Sequence, residues 1–235
     1  MVTTKLPDSI EEAVSQSVGA VKAALAAGHT RVQTEMVYQE LKPPVVAYQF
    51  LQEYPDIGEN VKVFFSDAGA AALAKRDWVD IPHTLKGVKE LLEPVQPEDD
   101  GFVLVGPTPS EVEACEQVAN DAGDRPYILL NPKLQDISVI GIGYAGRQLR
   151  ERFLNTLETA YYLCPLEGGL VYRCYPGPWQ VFSESEDGGY QLLSELNSRP
   201  TSEDLDAAFA PLIPPEERSG GLFRSLGQFL KSLSS

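Results

Sequence analysis

Three short apolar runs constrain this chain more than any other feature: the nearly continuous Val61–Phe65, then Phe102–Val105 and Tyr127–Leu130. They are too short for helices. Apolar residues at successive positions require cover on both faces of a strand. Each run ends in turn chemistry. Ser66-Asp67 leads into an alanine-rich helix over Ala68–Arg76, and Gly106-Pro107-Thr108-Pro109 leads into a helix over Glu111–Asp121 with Ser110 as its cap. Asn131-Pro132 closes the third run. Strands alternating with helices predict a three-layer, Rossmann-like α/β fold, with a mainly parallel sheet and helices on each side.

The segments before these runs are consistent with that plan. Residues 8–27 carry Ile10, Val14, Val18, Val21 and Leu25 at helical spacing, with Asp8 or Ser9 as cap and Gly28 as stop. Thr30–Tyr38 alternates, with Val32, Thr34, Met36 and Tyr38 on one side and Arg31, Gln33, Glu35 and Val37 on the other. That pattern predicts a half-buried strand. Pro43-Pro44 opens a helix carrying Val46, Phe50 and Tyr54.

The C-terminal third has a different rhythm. Tyr161–Cys164, Leu170–Tyr175 and Trp179–Ser183 are short strands separated by Glu167-Gly168-Gly169 and Pro176-Gly177-Pro178, which predicts an antiparallel meander extending the sheet or forming a small lobe. A helix capped by Thr201 or Ser202 follows, with Leu205 and Phe209 inward. The predicted organisation is a single α/β domain over residues 1–210, a Pro/Gly linker over 211–221 and an amphipathic tail helix over 222–235.

Charge narrows the function classes. The 235 residues include 19 basic and 34 acidic ones, for a net charge of −15. Such a surface repels phosphates and argues against nucleic acid as a partner. Three cysteines, Cys115, Cys164 and Cys174, and two histidines, His29 and His83, lack metal-ligand spacing, so no metal is expected. The thiols read as free, with a Cys164–Cys174 redox pair across neighbouring strands as the lesser alternative. No run reaches the roughly 18 apolar residues of a spanning helix, and the N-terminus lacks the apolar core of a leader. A cytoplasmic protein is expected.

Gly141-x-Gly143-x-x-Gly146 matches the dinucleotide fingerprint literally, after a candidate strand at Ile137–Ile140 and with Glu167 about 20 residues further on. The helix that follows carries Arg147, Arg150 and Arg152 where the dinucleotide fold packs small apolar residues on its sheet. The sequence beyond is antiparallel in character. A tight strand-to-helix turn therefore fits better than a cofactor loop, and no cofactor is expected; an anion held at the helix N-terminus with Arg147 is the lesser alternative.

Two kinds of surface remain. Asp67, Thr108 and Asn131 lie at the carboxyl ends of three strands, the edge where α/β folds bind ligands, and with Arg147 they form a candidate cleft or anion site; caps and turn residues are the plainer reading. A candidate partner surface comprises Arg150, Trp179 after Pro176-Gly177-Pro178, and the tail side chains Leu222, Phe223, Leu226, Phe229 and Leu230. The tail residues share one face of an amphipathic helix whose polar face is basic. It suits docking on its own domain, a protein partner or an anionic membrane surface. No nucleophile motif G-x-S-x-G and no P-loop is present.

Several ordered stretches together carry a resemblance: LPDSIEEAVSQSVGAVKAALAAGHTRVQTEM, VFFSDAGAAALAKRDW, YILLNPKL, GIGYAGRQLRERFLNTLETAYYLCPL, VYRCYPGPWQVF and RPTSEDLDAAF. They resemble a domain-of-unknown-function family of cyanobacteria and plastids. It includes a plant LOW PSII ACCUMULATION factor, and a similar domain follows the kinase domain of a plastid adenylate kinase. The resemblance spans about residues 6–210. It implies a non-enzymatic auxiliary factor for photosystem II assembly or stability, binding a core subunit or assembly partner at the thylakoid surface. It carries no catalytic residues with it. The alternative from the residues themselves is an α/β domain that binds a phosphorylated metabolite or nucleotide, with or without catalysis.

Overall fold

A computed structural model describes residues 5–38, 40–89, 95–134, 144–185 and 187–212. The first helix, α1, spans Ile10–Ala26; the Ser9 side chain accepts from the Glu12 N–H at its start, while the Glu12 carboxylate accepts from the Asp8 N–H. Strand β1 spans Arg31–Met36, and α2 spans Pro43–Glu53 with proline in its first turn. Then come β2 (Val61–Phe65), α3 (Ala68–Asp77), β3 (Thr84–Gly87), β4 (Gly101–Val105), α4 (Val112–Ala122) and β5 (Tyr127–Leu130). Helix α5 spans Tyr144–Arg152, followed by β6 (Glu158–Leu166), β7 (Gly169–Cys174), β8 (Trp179–Glu184), β9 (Tyr190–Leu196) and α6 (Ser202–Phe209).

The strands form one nine-stranded sheet in the order β3-β2-β4-β5-β1-β6-β7-β8-β9. All neighbours from β3 through β6 are parallel, and β6 through β9 are antiparallel. The expected α/β sheet with an antiparallel extension is therefore the observed architecture, and the meander continues the same sheet. Alternation divides the core. Val103 and Val105 of β4 pack with α1, α2 and α3 on one face, whereas Phe102 and Leu104 pack with α4 and α5 on the other. Tyr162, Cys164, Val171, Trp179 and Val181 form a third apolar cluster beneath α6. It lies on the α4/α5 side, because Tyr161 and Leu163, which alternate with Tyr162 and Cys164, belong to the α1 face.

Several expectations need correction. β1 is central, not half-buried: it lies between β5 and β6, and both its faces are covered. β3 and β9 were not anticipated. Thr108, not Ser110, caps the turn that enters α4, and it does so in a box with Glu111. Cys164 pairs with Val171 and Cys174 with Tyr161, so the two cysteines lie on opposite faces of the sheet and all three thiols are free. A Cβ on Gly87 would sit 2.7 Å from the Ala68 nitrogen, so only glycine lets the end of β3 approach the start of α3 so closely. Among the described residues no helix is long and apolar enough to cross a membrane. Gly141, Gly143, Ile137–Ile140, most of the linker and the tail residues Leu222, Phe223, Leu226, Phe229 and Leu230 lie outside the described residues.

Candidate functional site

Asp67, Thr108 and Asn131 do end β2, β4 and β5, which are consecutive in the sheet. Their side chains are each engaged by local structure. Asp67 caps α3, accepting from the Ala70 N–H at 2.8 Å. The Thr108 hydroxyl donates to Glu111 at 2.6 Å, and the Thr108 N–H reaches the same carboxylate at 3.0 Å. Asn131 sits at φ 49°, in the left-handed region that asparagine tolerates better than most residues. Its side-chain oxygen accepts from the Met36 N–H at 2.9 Å, and its own N–H donates to the Thr34 carbonyl at 2.8 Å. Asn131 thus clasps the ends of β5 and β1 together. Arg147 is exposed on α5, and no contact joins it to these three. Arg150 is half-buried on the same helix. Arg152 is tied to α4 through Glu116 at 2.9 Å.

Beside Thr108 the sequence hid a strongly held acid. Glu111 is buried and is contacted by the Thr108 and Ser110 hydroxyls and by Lys89 at 3.0 Å. Burial opposes its ionisation, but these donors outweigh burial and bring its pKa from 4.5 to about 2. A carboxyl held below its unfolded value stabilises the fold above that value. The fold should therefore lose stability as pH falls through 4.5 toward 2. Glu111→Gln should flatten this part of a melting-temperature profile against pH, and an unchanged profile would refute the assignment.

The larger polar feature is a layer between the cluster under α4/α5 and the cluster under α6. It is built on the odd-numbered side of β1. Arg31 donates to the Ala119 carbonyl at the end of α4 at 3.0 Å. Gln33 donates to the buried Thr159 hydroxyl at 2.9 Å. Glu35 accepts from Arg199 at 3.0 Å, and Arg199 also donates to the Tyr162 hydroxyl at 3.0 Å while lying 4.4 Å over the Tyr162 ring. Arg173 pairs with Glu158 and stacks 5.3 Å over Trp179. Trp179 is 2% exposed, which removes it from the partner surface: the cis Tyr175-Pro176 turn precedes a strand whose first residue points into the core. Burial raises the Glu35 pKa against the opposing pull of Arg199. For Arg199 itself burial works against the charge, and Glu35 with Tyr162 more than restores it.

Chemically, this layer holds two ion pairs, Glu35–Arg199 and Glu158–Arg173, among hydrogen bonds made by Arg31 and Gln33. It joins β1 to the segment before α6 and fixes β6 to β7. Sequence reading missed it because its partners are far apart in the chain. The one available signal was the charged side of β1, which a strand inside a parallel sheet must compensate internally. The thiols offer no activated nucleophile: burial pushes Cys115 up to about 12 and raises Cys164 and Cys174. His29 contacts the Tyr175 hydroxyl at 3.3 Å. Among the described residues no group of three or more His, Cys, Asp or Glu side chains is placed to hold a metal ion.

A family model described as a domain of unknown function, DUF1995, matches residues 7–207. The chain belongs to the DUF1995 family. The match begins just before α1 and ends within α6, so the DUF1995 domain comprises the parallel sheet, the meander and the polar layer that joins them. No solved structure matches the chain.

Proposed function

We propose that this DUF1995 domain is a non-enzymatic auxiliary factor that binds a protein partner, a photosystem II core subunit or assembly factor, peripherally at the cytoplasmic face of the thylakoid membrane. The assembly role comes from the family resemblance. The binding character is supported by one structural observation: the polar side chains at the carboxyl ends of β2, β4 and β5, which a catalytic α/β domain would keep for substrate, are bonded to its own caps and turns. Surface recognition then takes the place of chemistry. Arg147 and Arg150 on α5 and the basic, amphipathic sequence after residue 221 remain as contact elements. Affinity purification of the tagged chain from thylakoid-containing cells, with and without residues 218–235, tests the reading. Photosystem II components should co-purify with the full chain and decrease several-fold on truncation. Absence of any such component refutes the assembly role. Stabilisation by several degrees with a phosphorylated metabolite or nucleotide, abolished by Arg147→Ala, would instead favour a ligand-binding domain.

A further inference from the structure

The edge of the sheet carries a groove that neither the carboxyl-end residues nor the polar layer uses. It runs between α3 and the outermost strand β3. One cavity of about 330 Å³ is lined by Lys75, Trp78, Ile81, His83, Thr84 and Leu85. A second, of about 580 Å³, is lined by Ala68, Ala71, Ala72, Lys75, Leu85 and Lys86. They share Lys75 and Leu85, so the two form one open trough along the helix.

Its lining is opposite in sign to the chain's net charge. The chain carries a net charge of −15, yet among the described residues both cavities are lined by lysine and by no carboxylate. Leu85 forms an apolar floor, and the small Ala68, Ala71 and Ala72 side chains keep the helix wall low. Trp78 is half-buried, with its ring 5.3 Å from Phe65 and 5.6 Å from Tyr48, so it is a fixed wall. His83 lines the same trough. Its Nδ1 atom is buried without a hydrogen-bond partner, and burial lowers its pKa.

We propose that this trough is the docking groove for an acidic, extended peptide segment of the protein partner, with carboxylates on Lys75 and Lys86 and an apolar side chain between them against Trp78, Ile81 and Leu85. The open, elongated shape fits a peptide better than an enclosed small molecule. The charge contrast sets the sign of the partner. This inference rests on the protein-binding reading above and names the chemistry of that partner.

The test uses the full chain and a blocked five-residue peptide of alternating glutamate and phenylalanine, followed by tryptophan fluorescence. Trp179 is buried beneath α6, so Trp78 is the reporter of the groove. Saturable binding is expected. It should weaken about tenfold in Lys75→Glu and again in Lys86→Glu, weaken with added salt, and vanish when lysine replaces glutamate in the peptide. Equal binding by both charge-reversal variants, or no saturation with the unaltered chain, overturns the proposal. The two readings fail separately. If photosystem II components co-purify equally with the unaltered chain and with the Lys75→Glu/Lys86→Glu double variant, the groove is refuted and the assembly role stands. If nothing co-purifies with the unaltered chain, the assembly role falls and the peptide titration judges the groove alone.

Discussion

Asp99→Ala is expected to lower the unfolding free energy by about 3–5 kcal/mol, the range for breaking a buried ion pair by removing one partner. The Lys62 ammonium lies 2.7 Å from the Asp99 carboxylate, and the two side chains are only 8% and 5% exposed. Lys62 is the second residue of β2, paired with Thr84 of β3 on one side and Phe102 of β4 on the other. Truncating Asp99 removes the carboxylate that lies 2.7 Å from that cation. It also takes the acceptor from the Gln96 N–H, which reaches Asp99 at 2.6 Å. The segment is further held by Arg125, which donates to the Gln96 carbonyl at 2.7 Å and the Asp99 carbonyl at 3.2 Å. That strap should keep the backbone in position, so the loss arises from the charge. Lys62→Met combined with Asp99→Leu should recover most of the stability, because apolar replacement of a buried pair is often neutral or better. Denaturant unfolding of the two variants decides it. Equal losses in the single and double variants would show that the pair's charge is not the source.

β2, β4 and β5 were legible because strands buried on both faces read as nearly continuous apolar runs, interrupted in β2 by the paired Lys62. The edge strands gave no such signal. Thr84-Leu85-Lys86-Gly87 has one large aliphatic residue, and Tyr190–Leu196 has an exposed first half. Each is covered on one side at most, so neither forms a continuous apolar run. β1 was legible as a strand but not as the centre of the sheet. Its alternation matched a solvent-facing pattern, and nothing local distinguishes Glu35 facing water from Glu35 facing Arg199. Trp179 was misplaced for a related reason. The Pro-Gly-Pro turn marks a chain reversal, but which side of the next strand is inward depends on the register between β7 and β8. Asp67, Thr108 and Asn131 were found by position, and the same residue types that suggested a cleft are those that cap helices and turns.

Arg199→Ala should cost about 1–3 kcal/mol, between the exposed and buried cases, because the arginine keeps 39% of its side-chain surface while Glu35 keeps 13%. Its pH signature is the sharper prediction. Burial already holds the Glu35 pKa above its ordinary value in the intact layer. Removing Arg199 withdraws the positive charge that opposes this shift, so the carboxyl rises further and is protonated over a wider range. A group whose folded-state pKa is raised contributes stability that is fully present below its unfolded value and is lost as pH rises through the folded value. The deficit of Arg199→Ala relative to the unaltered chain should therefore be small in mild acid and grow as pH rises through and above the carboxylate range. Glu35→Gln in the same background should remove that slope, since a neutral amide has no proton to lose, while Arg199→Lys should restore part of the charge but not the contact with the Tyr162 ring. A pH-independent deficit in Arg199→Ala would mean that the arginine acts through packing over Tyr162 and Trp179 rather than through Glu35. Such a result would also remove the electrostatic reason for placing charged residues on the central strand of the sheet.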